Sequence, residues 1–367
     1  MKQVSQERKL WLLRVAENRA LRAQITKAKR KSRLREQSQN YSHLGKVGRL
    51  AYRTKVSGRV VLVVPECLDL FERYDETIQF VQELRILALR ERRPIKLDFE
   101  VAKCIAPAAS LMLVAEVYRC MNINRGRVTG TYPKDVQLER ILQDTGFFEL
   151  LGVANRLPKE DANSALEYIK FQTGTRAVGT EAYNLEKALL GDTSPLDRRA
   201  SEKLYRGITE AMTNVVQHAY VLTGGNHYPR LKERWWMAGY LDKEKKELMI
   251  HFYDQGVGIP ATLPLKYPKE MIHSALRNLG IIGSRDGEHI LAAMEIGRTR
   301  TDLPNRGRGL NDLRAFVDQS GTGNLRILSR KCEYEYSADK SEVARNHKHS
   351  LGGTLIQWSV SLPSVTA

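Results

Sequence analysis

The chain has no run of about 18 uninterrupted apolar residues, which excludes a membrane-crossing helix. It also lacks the marks of a secretory leader. The opening residues, Met1-Lys2-Gln3-Val4-Ser5, are polar and run into a charged helical pattern, with no apolar core or small-residue cleavage site. Cysteine is scarce. Cys67, Cys104, Cys120 and Cys332 form no C-x-x-C pair and have no histidine at zinc-ligand spacing, so neither a disulfide scaffold nor a structural metal is expected. These absences predict a reduced, cytoplasmic protein. There is no internal repeat and no low-complexity tract. The 367 residues, 42% of them hydrophobic, suffice for two or three domains with a sizeable core.

Acidic residues are rare at one end. Residues 1–60 hold 17 Lys and Arg against three acids (Glu7, Glu17 and Glu36), so +14 of the formal net charge of +17 sits there. The basic character therefore belongs to an arm, residues 1–50, and not to the body. Residues 6–36 read as one helix with an apolar stripe through Leu10, Leu13, Leu21 and Ile25. Lys27, Lys29, Arg30, Lys31, Arg33 and Arg35 crowd its second half. Three readings stay open: a solvated helix docking on protein, a nucleic-acid contact, or a membrane-surface helix.

Residues 56–155 alternate strand and helix patterns. Strands are expected at 59–64, 94–99 and 127–132, and helices at 74–90, 108–120 and 135–144. That order implies a small α/β domain with helices packed on a sheet. In order, size and pattern it resembles the STAS domain of anti-sigma-factor antagonists. That family carries a phosphorylated Ser at the turn after its second core strand. Here the turn reads Ile105-Ala106-Pro107-Ala108-Ala109-Ser110. Pro107 stands at the acceptor position and has no hydroxyl, so the resemblance implies a docking module and not a phosphoswitch. Ser110, at a helix start, reads as a cap or surface residue.

A polar stretch at 155–165 is the best linker. Beyond it, a strand is expected at 167–172, helices at 181–190 and 196–220, antiparallel strands at 234–241 and 247–253, and terminal strands at 324–336 and 354–362. Four short motifs follow one another here. In the second helix, Glu210, Asn214 and His218 are four apart and share a face, where a carboxylate and an amide can hold a water and a divalent cation. Asp254-Gln255-Gly256-Val257-Gly258 follows a strand, so a carboxylate there can accept from an exocyclic amine while the glycines let backbone approach a flat ligand. Asn305-Arg306-Gly307-Arg308-Gly309-Leu310 leads into a helix whose N-terminus can face phosphate. It is neither a Walker loop nor a dinucleotide fingerprint. Gly352-Gly353-Thr354 opens the last strand. Taken singly, each also reads as ordinary structure: an exposed helix face, a capped Gly turn, a helix start, a strand start.

In this order the four resemble the N, G1, G2 and G3 boxes of the GHKL (Bergerat-fold) ATPases, over residues 165–362. The version of the first box is most like that of the anti-sigma-factor kinases. The resemblance implies an α/β sandwich with helices on one face of a mixed sheet, with ATP and Mg²⁺ as ligands. It implies Asn214 on the metal, Glu210 as general base, Asp254 on the adenine amino group with Gly256 and Gly258 beside the base, Gly307, Arg308, Gly309 and Leu310 around the phosphates, and Thr354 supporting the base. Residues 261–306 correspond to the ATP lid, with helix patterns at 269–279 and 287–296, and Arg298, Arg300 and Arg306 as γ-phosphate candidates. His218 reads as a packed helix residue. No phosphoacceptor-His helix precedes the domain, which disfavours a self-phosphorylating sensor kinase.

The expected protein is thus a basic arm (1–50), a STAS-like domain (56–155) and a GHKL domain (165–362). Its expected activity is slow Mg-dependent ATP hydrolysis coupled to lid closure or homodimerisation, signalling to a regulatory protein partner. The alternatives are a Ser/Thr protein kinase of the anti-sigma type and a non-hydrolysing ATP sensor with a nucleic-acid-binding arm. The nucleic-acid reading of the arm predicts a gel shift that weakens steeply with salt and shows little sequence preference. Deleting residues 1–40 is expected to abolish that shift and leave nucleotide binding intact; no shift at low salt leaves the arm as a protein-docking helix.

Overall fold

Short β-branched runs separated by helical patterns favour parallel pairing through helical crossovers, and the first part of the chain folds that way. The computed structural model describes residues 52–56, 58–124, 128–158, 166–191, 194–221, 231, 233–283, 285–299 and 309–362. The basic arm and its expected helix lie outside them. Six strands come first: β1 (Tyr52–Val56), β2 (Arg59–Val63), β3 (Cys67–Leu68), β4 (Ile95–Asp98), β5 (Cys104–Ile105) and β6 (Val128–Gly130). β2, β4 and β6 are parallel neighbours, with β1 antiparallel on the edge of β2. The crossovers are α1 (Tyr74–Arg85), continued by a π turn at Ile86–Arg90, and α2 (Pro107–Ile123). α3 (Val136–Asp144) and α4 (Phe147–Leu151) follow β6. Asp135 caps α3 by accepting from Leu138 N at 2.8 Å.

β3 and β5 form a separate parallel pair in which Cys67 faces Cys104. Their Cα atoms are 4.6 Å apart and the sulfurs are bonded. This corrects the expectation of four reduced cysteines. The partners are 37 residues apart in sequence, and nothing but strand register brings them together. Cys120 and Cys332 are free and buried.

The second sheet holds β7 (Leu166–Tyr168), β8 (Gln172–Gly174), β9 (Trp235–Asp242), β10 (Glu247–Asp254), β11 (Asn324–Ser329), β12 (Cys332–Ser337), β13 (Glu342–Asn346) and β14 (Thr354–Ser361). Its order is β13-β12-β11-β14-β10-β9-β7, with β8 also on β9. A mixed sheet was expected, but every pairing among these described strands is antiparallel. Chain order explains it. β9/β10 and β11/β12/β13 are hairpin-linked, and β14 enters between β10 and β11 opposed to both. β10 and β11 therefore point the same way without touching.

One face of this sheet carries α5 (Gly179–Leu190), α6 (Arg198–Asn214) with a π turn at Val215–Ala219, and further along the chain α7 (Ile259–Lys266), α8 (Lys269–Asn278), α9 (Asp286–Thr299) and α10 (Gly309–Ser320). Leu204, Ile208, Met212, Phe252, Phe316 and Trp358 are among the residues that fill the core between. Trp358 Nε1 donates to the Leu313 carbonyl at 2.8 Å, fixing α10 to the sheet. α7, α8 and α9 enclose a small core of their own around Leu263, Ile272, Leu276, Ala293 and Ile296.

α2 carries apolar residues nearly all round, and such a helix has to be covered on every side. It is: from Ala108 to Val117 every residue is buried. One side packs on the first module, and the other on β9 and β10. Tyr118 meets Trp236 edge-on at 6.2 Å between ring centres. Residues 51–367 accordingly form one compact unit. Leu111 sits at this junction, buried near Ala238 and Gly239 of β9. Leu111→Ala is expected to cost about 2–5 kcal/mol, the range for a truncated buried leucine. Because α2 serves both sheets, denaturation followed by tryptophan fluorescence and by far-UV circular dichroism is expected to shift as one transition.

Candidate functional site

β10 ends at Asp254, which faces Thr354 at the start of β14, and Thr354 in turn faces Ser329 at the end of β11. Directly opposed residues of antiparallel strands share a face. Three oxygen-bearing side chains thus form a row across the end of the sheet, on the side of the helix layer. Ser329 Oγ and Thr354 Oγ1 are 3.0 Å apart, and Ser329 Oγ accepts from Ile259 N at 2.9 Å. Asp254 is buried, and its Oδ1 accepts from Gly256 N at 2.6 Å, a tight turn that starts the glycine loop.

That loop lies against the end of α6. Val257 N donates to the Ala219 carbonyl at 2.7 Å. A Cβ on Gly256 would stand 2.3 Å from the same oxygen, so the approach requires glycine. Gly258 has φ +86°, and a Cβ there would lie 2.9 Å from Ser329 Oγ. Tyr220 OH donates to the Arg234 carbonyl at 2.6 Å and accepts from Gln255 N at 3.2 Å. Burial pushes this hydroxyl up, so it stays neutral while bracing the loop.

On α6, Asn214 Nδ2 donates to Glu210 Oε1 at 2.9 Å. Both side chains are half-buried. Burial raises the Glu210 carboxyl above its ordinary value; the Asn214 bond and Lys266 oppose this, and Asp312 adds to it. The π turn starts at Val215, and its wider winding takes His218 off the row that a continuous α-helix would give it. Burial and the Lys266 charge lower the His218 pKa. Gly309 and Leu310 begin α10, and Leu310 packs on both the main core and the core of α7–α9. Asn305, Arg306, Gly307 and Arg308, with Arg300, lie outside the described residues.

Three of the four sequence motifs therefore converge, and the described part of the fourth begins the helix packed on α6. Ser329, Tyr220 and Gln255 complete the surroundings. Ser329 carries no sequence signal, because only strand order links it to Thr354. In the first module, Ala106 caps α2 without a side-chain bond and Pro107 is its first residue. Ser110 is neither cap nor surface, as had been expected; it is buried beside a small cavity shared with Tyr168, Ala238 and His251. Among the described residues, no group of three or more His, Cys, Asp or Glu is arranged to hold a metal ion. No family model matches the chain, and no curated protein matches its sequence.

The raised Glu210 pKa has a stability consequence. A carboxyl whose folded pKa is raised contributes stability that is present in acid and lost as pH rises through the raised value. Glu210→Gln keeps an acceptor for Asn214 and never ionises. It is therefore expected to raise the thermal midpoint at neutral pH and to give no gain in acid. Melting curves across that range check this.

Proposed function

We propose that residues 165–362 bind ATP with Mg²⁺ as a regulatory ATPase of the GHKL type, whose lid signals to a protein partner. The observation that carries the reading is the convergence of Asp254 and Thr354, face to face on β10 and β14, with the Asn214 helix through the Val257–Ala219 bond. Three motifs far apart in sequence come to one end of the sheet, and the described part of the fourth begins the helix packed on α6.

In this reading the Asp254 carboxylate accepts from the adenine amino group, with Thr354 and Ser329 behind it. Gly256 and Gly258 keep the loop low enough for the base to lie against backbone. The amide oxygen of Asn214 is the ligand for Mg²⁺, which neutralises phosphate charge when bound. A single neutral oxygen from the protein suits a cation that keeps waters and phosphate oxygens as its other ligands. The N-terminus of α10 at Gly309 and Leu310, with Gly307 and Arg308 before it, faces phosphate. Glu210 takes the proton of the attacking water as its oxygen bonds the γ-phosphorus and the bond to the β-phosphate oxygen breaks. Burial makes Glu210 a stronger base than a solvated glutamate. α7–α9, with their separate core, are the body of the lid.

Calorimetry is expected to show binding of ATP and ADP but not GTP, and Asp254→Ala to lose about 1–3 kcal/mol through an unpaired amine. Asn214→Ala is expected to weaken Mg-dependent binding. Glu210→Ala is expected to hold ATP affinity within about a few-fold while lowering turnover by about 10²–10⁴. Comparable ATP and GTP affinities would sink the base assignment. With γ-labelled ATP, label transferred to a partner protein in place of free phosphate assigns the site to a Ser/Thr kinase, and neither product assigns it to a sensor.

A further inference from the structure

Both rims of the base end of the site touch the first module through one buried ion cluster. Glu116, in the middle of α2, has no exposed surface. Its carboxylate accepts from Arg85 Nη2 at 2.7 Å, from Tyr253 OH at 3.1 Å, from Gln255 Nε2 at 2.8 Å and from Arg119. Burial works to raise its pKa, but the Arg119 and Arg85 guanidiniums overcome that and hold it at about 2. Arg85 also donates to the Leu351 carbonyl at 2.8 Å. It lies so close to Gly352 that a Cβ there would be 2.8 Å from Nη1.

The chain positions matter. Gln255 follows Asp254 directly, and Leu351 and Gly352 lead into Gly353 and Thr354. The two strand ends that carry the candidate base-binding residues are thus held from behind by α1 and α2. Farther along α1, Tyr74 OH donates to the His349 carbonyl at 3.0 Å, and its ring stacks on His347 at 3.8 Å. The segment entering Leu351 is fixed as well. None of these contacts reaches Asn214, Glu210 or Gly309, where the phosphates are expected.

We propose that Glu116 and Arg85 are positioning residues for the base end of the nucleotide site, acting through Gln255 and the Leu351 carbonyl. The seating of α2 and α1 in the first module then sets affinity for the base. The inference rests on the nucleotide reading above. Its physical content is preorganisation: an Asp254 loop held before the ligand arrives does not have to be ordered by it.

Gln255→Leu tests this most cleanly, because it removes one donor to Glu116 and leaves the Arg85–Glu116–Arg119 cluster in place. Calorimetry on the full chain with ATP and with GTP, beside melting curves without ligand, gives three readouts. ATP affinity is expected to fall about tenfold, the effect of losing one hydrogen bond to a charged group. GTP is expected to stay without detectable binding in both proteins, and the ligand-free melting point is expected to fall only by the loss of one buried hydrogen bond. Glu116→Gln is expected to lower both ATP affinity and the melting point, since two buried guanidiniums then lack a countercharge. Unchanged ATP affinity in Gln255→Leu overturns the inference alone. So does an equal loss of ATP affinity in Leu325→Ala, a buried truncation at the far end of β11 from Ser329, because that is general loosening. Failure of the wild-type chain to bind ATP overturns the nucleotide reading, and the inference with it.

Discussion

A single ionised carboxylate, sealed between two sheets, is the constraint on which the rest of the arrangement depends. Glu116 stands in a helix whose buried residues are otherwise apolar except for Ser110 and Arg119. Removing such a charge from water is unfavourable by several kcal/mol unless partners surround it. Two guanidiniums and two neutral donors do so, and they come from α1, α2, β10 and the loop after β10. The depressed pKa means that the stability tied to this charge is present above the ordinary carboxylate value and is lost as pH falls through about 2. Loss of either arginine would leave a buried charge short of its partner, which typically destabilises by about 3–5 kcal/mol. The cluster therefore ties α1 and α2 of the first module to β10 and the loop after it through one carboxylate.

β10 carries that constraint to the site because successive strand residues point to opposite faces. Leu248, Ile250 and Phe252 join the core under the helices, and Asp254 continues that side. His251 and Tyr253 look the other way, toward α2. His251 bonds Gln357 at 3.0 Å, and burial lowers its pKa to about 4, so it is neutral in the junction. Tyr253, Asp254 and Gln255 are consecutive, yet the first and third answer to Glu116 while the second belongs to the oxygen row. Junction and site are two sides of one strand end.

Much of this was legible in the residues. The near-continuous apolar character of 108–120 marked a helix with no solvent face, and Asp254-Gln255-Gly256-Val257-Gly258 marked a strand end with close backbone contact. What could not be read was set by distance in sequence or by unsignalled backbone. The expected strand at 324–336 is two strands, turned at Arg330 and Lys331 with Arg330 at φ +54° and no Gly, Asn or Pro to announce it. β13 was missed because it is an exposed edge strand with charged residues at Glu342 and Arg345, as edges that resist pairing tend to be. The π turn after Asn214 has no residue signature, so His218 was read one helical turn in line. Glu116 carried a faint mark, an acid three residues before Arg119 in an apolar run. Its partners Tyr253 on β10 and Gln255 just after it lie well over a hundred residues away.

The position of β14 has a consequence for how the protein is made. It is the last described strand in the chain, and it lies between β10 and β11, in the interior of the sheet. Synthesis runs from the N-terminus, so the ribosome releases β9, β10, β11, β12 and β13 before it. Until β14 arrives, the nascent sheet is split into two parts. Each part exposes one edge of unpaired backbone groups that is lined by apolar side chains, the kind of edge that recruits foreign strands. The Asp254–Thr354–Ser329 row does not exist on that intermediate. The same strand therefore joins the two halves of the sheet and supplies the middle member of the row.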